Sequence, residues 1–388
     1  MNSYIFPIKA AVITFPFLAM LITAPFLIYY YRKYGQLGKL RSLILYSFVF
    51  YLLCAYYLVI LPLPSISVVA QMTGPRYELH LFQSWENFIN QTVLQLNNPS
   101  TYLPAMKQSV FLEPVFNIFL LFPFGVYCRY YFKFSLGKTI LASFALSIFF
   151  ELTQLSGLYF IYPRPYRLFD VNDLLHNTLG GTFGFACAPL FTFFLPTRSE
   201  LDSESLAKGQ QVTLLRRFVA LVIDWIAIGF LSSLLKFFTN ILPANLRALF
   251  NYPIASFNLA VMLYFMLLMY LWNGQTIGKK VVRIKVVEPD REHIRLWSLV
   301  KRYSAFYLLL YGLLQIFNYT MTHLPTNNHS VFIAYVTFGM MSLGILLLFL
   351  FNLLYALIRR KTRLFHDKAS HTYTISTLLK KEVEHANF

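Results

Sequence analysis

Apolar runs of roughly 18–25 residues recur about nine times along this chain, and each is long enough to cross a bilayer as an α-helix. They lie at about 7–31, 42–62, 110–132, 138–157, 176–195, 217–239, 253–273, 302–319 and 331–357. Only 13% of the residues are charged, whereas a soluble domain carries about a quarter. The sequence therefore predicts an all-α polytopic membrane protein with about nine transmembrane helices.

The loops between these runs differ in basic content. Most of the 33 Lys and Arg residues fall in every second loop, at 32–41, 129–138, 196–217, 274–302 and 359–388. Because cytoplasmic loops are enriched in basic residues, this places the N-terminus outside and the C-terminus in the cytoplasm of a bacterial cytoplasmic membrane. The formal charge of +17 is then explained by topology and anionic lipid contact, not by nucleic-acid binding.

A polar stretch at 196–213 divides the chain into two modules. Residues 1–195 hold five predicted spans and an outer loop at 63–109, and residues 214–376 hold four spans. The polar stretch is interpreted as a cytoplasmic linker, and 377–388 as a cytoplasmic tail. The first apolar run lacks a basic segment before it, so we expect a retained helix and not a cleaved signal peptide.

The three cysteines, Cys54, Cys128 and Cys187, lie in or beside apolar runs and show no metal-binding spacing. Neither a disulfide framework nor a zinc site is expected from them. The sequence identifies no cofactor.

Polar side chains interrupt the apolar pattern between the fourth and fifth runs. The candidate ligand-binding residues are Glu151, Gln154, Arg167, Asp170, Asp173 and Asn177, with Asn117 from the third run. Several are spaced by three or four residues, which places them on one face of a helix. Ionisable groups at the mouth of membrane helices are costly, so this pattern predicts a functional site.

Two arrangements of this cluster remain open. Arg167 could pair with Asp170 and Glu151 in a closed structural network. Alternatively, Arg167 and the backbone amides that open the fifth helix could hold an anionic headgroup or a pyrophosphate. Asp170 and Asp173 would then be candidate ligands of a bridging divalent cation.

Two further features bear on the role of the cluster. Gly180 and Gly184 form a GxxxG step, which predicts close helix packing. His176 is expected on a different face from Asp173 and Asn177, and no nucleophile is evident. The residues therefore favour a non-enzymatic role and leave an enzyme acting on a lipid-linked phosphate as an alternative.

The first module resembles the VanZ-like family. The matching residues are Asn117, Phe122 to Gly125, Glu151 to Gln154, Arg167 to Asp173, Asn177 to Gly181, and Gly184. The resemblance implies a cell-envelope membrane protein, since the family is named from members linked to low-level glycopeptide resistance.

The second module resembles the RDD family, named for an Arg and two Asp. They are Arg217, Asp224 and Asp367, and Gly274 to Lys280 is also typical of that family. The resemblance implies a membrane module for which sodium/proton antiport has been proposed in at least one member. From the residues, Asp224 is either a titrating group of an ion pathway or, with Arg217 and Asp367, part of a structural clamp; Arg302 is a candidate partner for it.

Alternation at Val282, Ile284 and Val286 predicts a short cytoplasmic strand, with 294–297 as its returning partner. For the whole chain, we expect an envelope protein that binds an outer-leaflet lipid, a lipid-linked cell-wall precursor or a lipoglycopeptide. Lower susceptibility to glycopeptide or lipoglycopeptide antibiotics would follow. An ion-coupled transporter built on the second module is the first alternative.

Overall fold

The computed structural model describes residues 2–239, 241, 243, 253–289, 291–304, 307, 309–324, 329–359 and 363–378. The chain divides into two compact units. The first contains Met1–Thr23 and Gly38–Leu201, and the second contains Ala24–Leu37 and Asp202–Phe388. The predicted tail at 377–388 lies outside the described residues from 379 onward.

The first unit is built mainly from helices. They are α1 (Asn2–Tyr34, whose second part belongs to the second unit), α2 (Lys39–Ile60), α3 (Ile66–Gln71), α4 (Gln83–Gln91), α5 (Tyr102–Met106), α6 (Ser109–Tyr130), α7 (Leu136–Leu155), α8 (Gly157–Phe160) and α9 (Val171–Thr192). Strands β1 (Tyr77–Glu78) and β2 (Phe169–Asp170) pair in parallel. The polar stretch 196–213 contains a further helix, α10 (Arg198–Gly209).

The outer loop at 63–109 is tied to the segment between α7 and α9. The guanidinium of Arg164 donates to the carbonyls of Met72 and Gly74, and the Tyr162 hydroxyl donates to the Pro64 carbonyl at 2.8 Å. Buried Val69 packs in the same apolar cluster as Tyr162. These contacts bring β1 beside β2, where the candidate site begins.

Helices α6 and α9 touch backbone to backbone. A Cβ atom added at Gly180 would collide with the Ile118 carbonyl, and one at Gly184 would collide with the Phe122 carbonyl. Only glycine permits this approach, as the GxxxG step predicted. The close approach sets Asn117 on α6 beside the first turn of α9.

The second unit continues the helical pattern. Its elements are α11 (Leu214–Thr239), α12 (Pro253–Met262), a π-helical segment (Leu263–Leu268), α13 (Met269–Leu271), α14 (Ile277–Val281), β3 (Ile284–Val287), α15 (Leu296–Tyr303), α16 (Leu309–Thr322), α17 (His329–Ile358), α18 (Phe365–Ala369) and β4 (Tyr373–Ser376). Its main core gathers Ile228, Tyr264, Phe265, Met269, Leu299 and Tyr303.

The predicted strand is confirmed as β3, but its predicted partner is wrong. Strand β3 pairs antiparallel with β4, so that Ile284 faces Ser376. Residues from Leu296 onward form helix α15 instead. Its buried Leu299 and Tyr303 are four residues apart, which is the spacing of one helical face and not of a strand.

Six helices of the described residues are long and apolar enough to cross a membrane. They include Ile5–Tyr34, Ser109–Tyr130 and Leu214–Phe238. The mainly helical membrane architecture is therefore present, whereas nine spans and the orientation remain predictions. The fifth predicted span begins earlier than expected, at Val171, because the Asp170 side chain caps that helix. The eighth covers the end of α15 and most of α16, and residues 305, 306 and 308 lie outside the described residues.

Candidate functional site

A cavity of about 780 Å³ lies in the first unit, at the ends of α6, α7 and α9. All the polar residues that were selected from the sequence line it: Asn117, Glu151, Gln154, Arg167, Asp170, Asp173 and Asn177. The α6–α9 contact and the β1–β2 pair bring these side chains together from separate parts of the chain. We call this space the outer cavity.

Two of its carboxylates are held by backbone amides. Glu151 is only 2% exposed, and its Oε2 accepts a hydrogen bond from the Asp170 amide at 3.0 Å. The Asp170 Oδ1 accepts from the Asn172 amide at 2.8 Å, which caps the N-terminus of α9. Glu151 thus fixes the end of α7 to the start of α9, and Asp170 stabilises the helix that carries Asp173.

Amide side chains order the inner wall of the outer cavity. The Nδ2 of Asn117 donates to Asp173 Oδ1, and the Nδ2 of Asn177 donates to the Ser147 hydroxyl at 3.0 Å. The buried Oδ1 of Asn177 has no hydrogen-bond partner among the described residues. Gln154 donates to the Val59 carbonyl at 3.1 Å. One acceptor on this wall is therefore still available.

Arg167 does not close an ion-pair network. It lies on the exposed side of the outer cavity, where its Nη2 donates to the Leu61 carbonyl at 3.1 Å. Within the described ranges, no carboxylate lies within 4.0 Å of its guanidinium, so the closed network with Asp170 and Glu151, one of the two arrangements left open, is not formed. The reason is that backbone amides, not the guanidinium, occupy those carboxylates.

The outer cavity is acidic as a whole. Glu78 and Glu113 also line it, giving five carboxylates against the one guanidinium of Arg167. Sequence reasoning did not select either glutamate. Glu78 lies in the outer loop and reaches the cavity only because β1 pairs with β2, a long-range contact without a local sequence signal.

The outer cavity also has an apolar lining. It includes Leu58, Val110, Phe116, Phe119, Leu120 and Leu168. Phe119 is 61% exposed, which in a membrane means contact with lipid chains. The outer cavity therefore combines a polar end with an apolar side.

The side chains of the outer cavity supply few of the ligands that a metal ion needs. In the described part of the chain, no group of three or more His, Cys, Asp or Glu side chains is placed to hold a metal ion. Asp170 and Asp173 both line the outer cavity, but they would supply only part of the six to eight oxygen ligands of Ca²⁺ or the six of Mg²⁺.

In the second unit, Asp224 is buried among donors. Its Oδ1 accepts from the Tyr264 hydroxyl and from the Gly278 amide, each at 2.7 Å. Its Oδ2 accepts from the Thr276 hydroxyl at 2.7 Å and lies 3.5 Å from Lys279 Nζ. The candidate partner Arg302 does not contact this carboxylate, because Tyr264, Thr276, Gly278 and Lys279 surround both of its oxygens.

Arg302 pairs instead with Asp367, at 2.6 Å. Arg217 contacts the other oxygen of the same carboxylate at 2.7 Å. Burial alone would raise the pKa of Asp367, but the attraction of Arg302 and Arg217 outweighs it and lowers the pKa to about 2. Asp367 is therefore an anion at neutral pH, shared by two cations.

Comparison with known families adds to this geometry. Residues 48–194 match the family model described as VanZ/LLP1, and residues 212–371 match that of the RDD family. The chain is a VanZ-like module followed by an RDD module. No curated protein and no solved structure matches it. With the apolar helices, the two matches indicate a membrane protein of the cell envelope.

Arg216 is a buried residue of the RDD module that sequence reasoning missed. It is fully buried and donates to the carbonyls of Val282, Gly209 and Arg283 at 2.7–2.8 Å. It thus joins α11 to the turn before β3 and to the end of α10. In the sequence, the position of Arg216 next to Arg217 was the one feature that could have indicated its role.

His176 of the VanZ-like module does not line the outer cavity. It is fully buried, and its ring lies 6.1 Å from that of Trp85. Among the described residues, neither ring nitrogen has a hydrogen-bond partner. The geometry therefore gives this histidine no route to proton exchange with a ligand in the cavity.

Proposed function

We propose that the VanZ-like module binds the headgroup of an outer-leaflet lipid or a lipid-linked cell-wall intermediate in the outer cavity. Through this binding, the protein lowers susceptibility to glycopeptide or lipoglycopeptide antibiotics. The observation that carries the proposal is the convergence of Arg167, Asp170, Asp173 and Asn177 on one cavity with an apolar side.

The polar groups suit a headgroup that has both donors and a phosphate. Carboxylates such as Asp173 accept hydrogen bonds from hydroxyl, amide or amine groups. Arg167 uses one donor on the Leu61 carbonyl, and its remaining N–H groups can bind phosphate oxygens. The side that carries Phe116 and Phe119 suits the lipid chain.

A divalent cation is part of this proposal. The excess of acidic side chains over the one guanidinium would repel a bare phosphate. A Mg²⁺ or Ca²⁺ ion shared between the phosphate and the carboxylates of Asp170 and Asp173 would offset that repulsion. The ligand and water would then complete the coordination shell that the protein alone does not provide.

Binding is favoured over the alternative roles. For ion transport, the carboxylate of Asp224 would have to be accessible to the transported ion, yet three hydrogen-bond donors and Lys279 already surround its two oxygens. For hydrolysis, a base should activate a nucleophile, but the carboxylates of Glu151 and Asp170 accept from backbone amides.

The direct test is native mass spectrometry of gently solubilised protein. The wild type is expected to retain a phosphate-containing lipid, and Arg167→Ala is expected to lose it while remaining folded. Arg76→Ala is the matched control, because Arg76 is an exposed arginine of the outer loop that does not line the cavity. Equal retention by both variants would contradict the proposal.

The physiological test uses the same pair of variants. Bacteria that express the wild type should need more glycopeptide or lipoglycopeptide for inhibition than cells without it. The difference should disappear with Arg167→Ala and persist with Arg76→Ala at equal membrane expression. If cells that express Arg167→Ala were protected as well as wild-type cells, the antibiotic effect would not depend on ligand binding in the outer cavity.

A further inference from the structure

A second cavity, of about 370 Å³, lies in the RDD module. Its walls are mainly apolar and include Leu214, Phe218, Leu221, Phe265, Tyr307 and Leu364. Such a volume lies within the range of small-molecule sites in proteins, which begins at about 300 Å³. We call this space the inner cavity.

Three cations line the inner cavity and lie close to one another. Lys279 Nζ lies 5.7 Å from the centre of the Tyr303 ring, and the Arg302 guanidinium carbon lies 5.9 Å from the same centre. Arg217 is linked to Arg302 through their shared partner Asp367. The positive groups therefore mark one end of an otherwise apolar space.

Among the described residues near this end, the carboxylates do not balance the cations. Asp224 and Asp367 carry two negative charges against the three positive charges of Arg217, Lys279 and Arg302. His366 adds none, because burial lowers its pKa to about 3 and it is neutral at pH 7. One positive charge is left over in a partly desolvated site, where it costs free energy unless an anion joins it.

One hydrogen-bond donor points to the same conclusion. The Nε of Arg217 is buried and has no acceptor in the part of the chain that the structure describes. The side chain as a whole is only 12% exposed, so water reaches it poorly. A buried, unpartnered guanidinium donor is the group that an anionic ligand would satisfy.

We propose that the inner cavity binds an amphiphile with one acyl chain and an anionic head, the head at Arg217, Lys279 and Arg302. The chain lies along the apolar wall beside Leu221 and Phe265. Phe218 lines the cavity and is 59% exposed, so the apolar wall extends to the outer surface of α11, where a ligand can enter from the lipid. The site is independent of the outer cavity and of its ligand.

The test measures binding to the full-length protein in detergent. The probes are hexadecanoate, hexadecyl phosphate and the uncharged hexadecanol. At least one anionic probe is expected to bind about tenfold more tightly than hexadecanol, which is the worth of one charge-assisted hydrogen bond. Tighter binding of hexadecanoate would indicate a fatty acid as the ligand, and tighter binding of hexadecyl phosphate would indicate a phosphate-headed lipid. Equal affinity of the wild-type protein for all three probes would overturn the proposal.

Two variants locate the site. Leu221→Trp fills the inner cavity and should abolish binding, whereas Val222→Trp, on the exposed side of the same helix, should preserve it. Lys279→Met should weaken the anionic probe about tenfold and leave hexadecanol unchanged. Indistinguishable results for the two tryptophan variants would place the ligand elsewhere, and Arg167→Ala should have no effect.

Discussion

Arg217 and Asp367 lie 2.7 Å apart although 150 residues separate them in the sequence. The pair joins the first helix of the RDD module to α18, which follows the last long helix. Arg302 contacts the same carboxylate, so three elements meet at one buried anion. This geometry gives two of the three residues that name the family a structural role.

Asp367→Asn should destabilise the RDD module strongly. The substitution removes the anion and leaves the cations of Arg217 and Arg302 buried without a partner, which costs about 3 kcal/mol. Thermal unfolding in detergent would measure the loss. Glu292→Gln removes an exposed carboxylate of the same unit and should leave the unfolding temperature unchanged. Similar unfolding temperatures for the two variants would argue against the clamp.

His366 should make stability depend on pH in mildly acidic solution. Burial, followed by the repulsion of Arg302, lowers its pKa from 6.5 to about 3. Below pH 6.5 the unfolded chain therefore binds a proton that the folded protein does not, so stability falls as the pH falls toward 3. At pH 5 the loss from this group is about 2 kcal/mol.

His366→Gln isolates this effect. The difference in unfolding temperature between pH 7.5 and pH 5 should be smaller in the variant than in the wild type. Above pH 7 the contribution of the histidine is constant, because it is neutral in both states. An equal pH dependence in the two proteins would show that His366 does not remain neutral in the folded state.

Local sequence patterns predicted several features of the molecule well. Apolar runs predicted the long helices, and the GxxxG step predicted the close approach of α9 to α6. Spacing by three and four residues selected Arg167, Asp170, Asp173 and Asn177, which all line the outer cavity. These features depend on helical periodicity, which neighbouring residues determine.

Long-range pairing accounts for what the sequence did not predict. Glu78 reaches the outer cavity through β1, and β4 joins β3 from almost ninety residues away, as the Val287–Tyr373 pair shows. The donors to Asp224 are Tyr264, Thr276 and Gly278, and not Arg302 at the start of the eighth predicted span. The charge of Asp224 alone did not identify its partners, because the sequence contains several basic residues that could pair with it.

Gly180→Ala should destabilise the VanZ-like module. The added Cβ would meet the Ile118 carbonyl on α6, and such overpacking costs about 1–3 kcal/mol. Gly137→Ala is the matched control, because Gly137 lies in helix α7 with no atom within 4 Å of the added group. It should be neutral or stabilising by up to about 1 kcal/mol. Thermal unfolding of the two variants gives the comparison directly, and equal stability would contradict the close helix contact.

Arg164→Ala should loosen the outer loop, whereas Arg167→Ala should not. Arg164 donates to the carbonyls of Met72 and Gly74, and it thereby holds the loop against the segment between α7 and α9. Loss of these charge-assisted bonds should raise the population of the open loop about tenfold.

Limited trypsin digestion at Lys107, an exposed residue at the end of the loop, would report that opening. Cleavage should accelerate in Arg164→Ala and stay at the wild-type rate in Arg167→Ala, because Arg167 donates to the Leu61 carbonyl at the end of α2 and not to the loop. Faster cleavage in both variants would mean that Arg167 also holds the loop. Loss of a ligand in Arg167→Ala would then reflect a disordered cavity and not a missing contact.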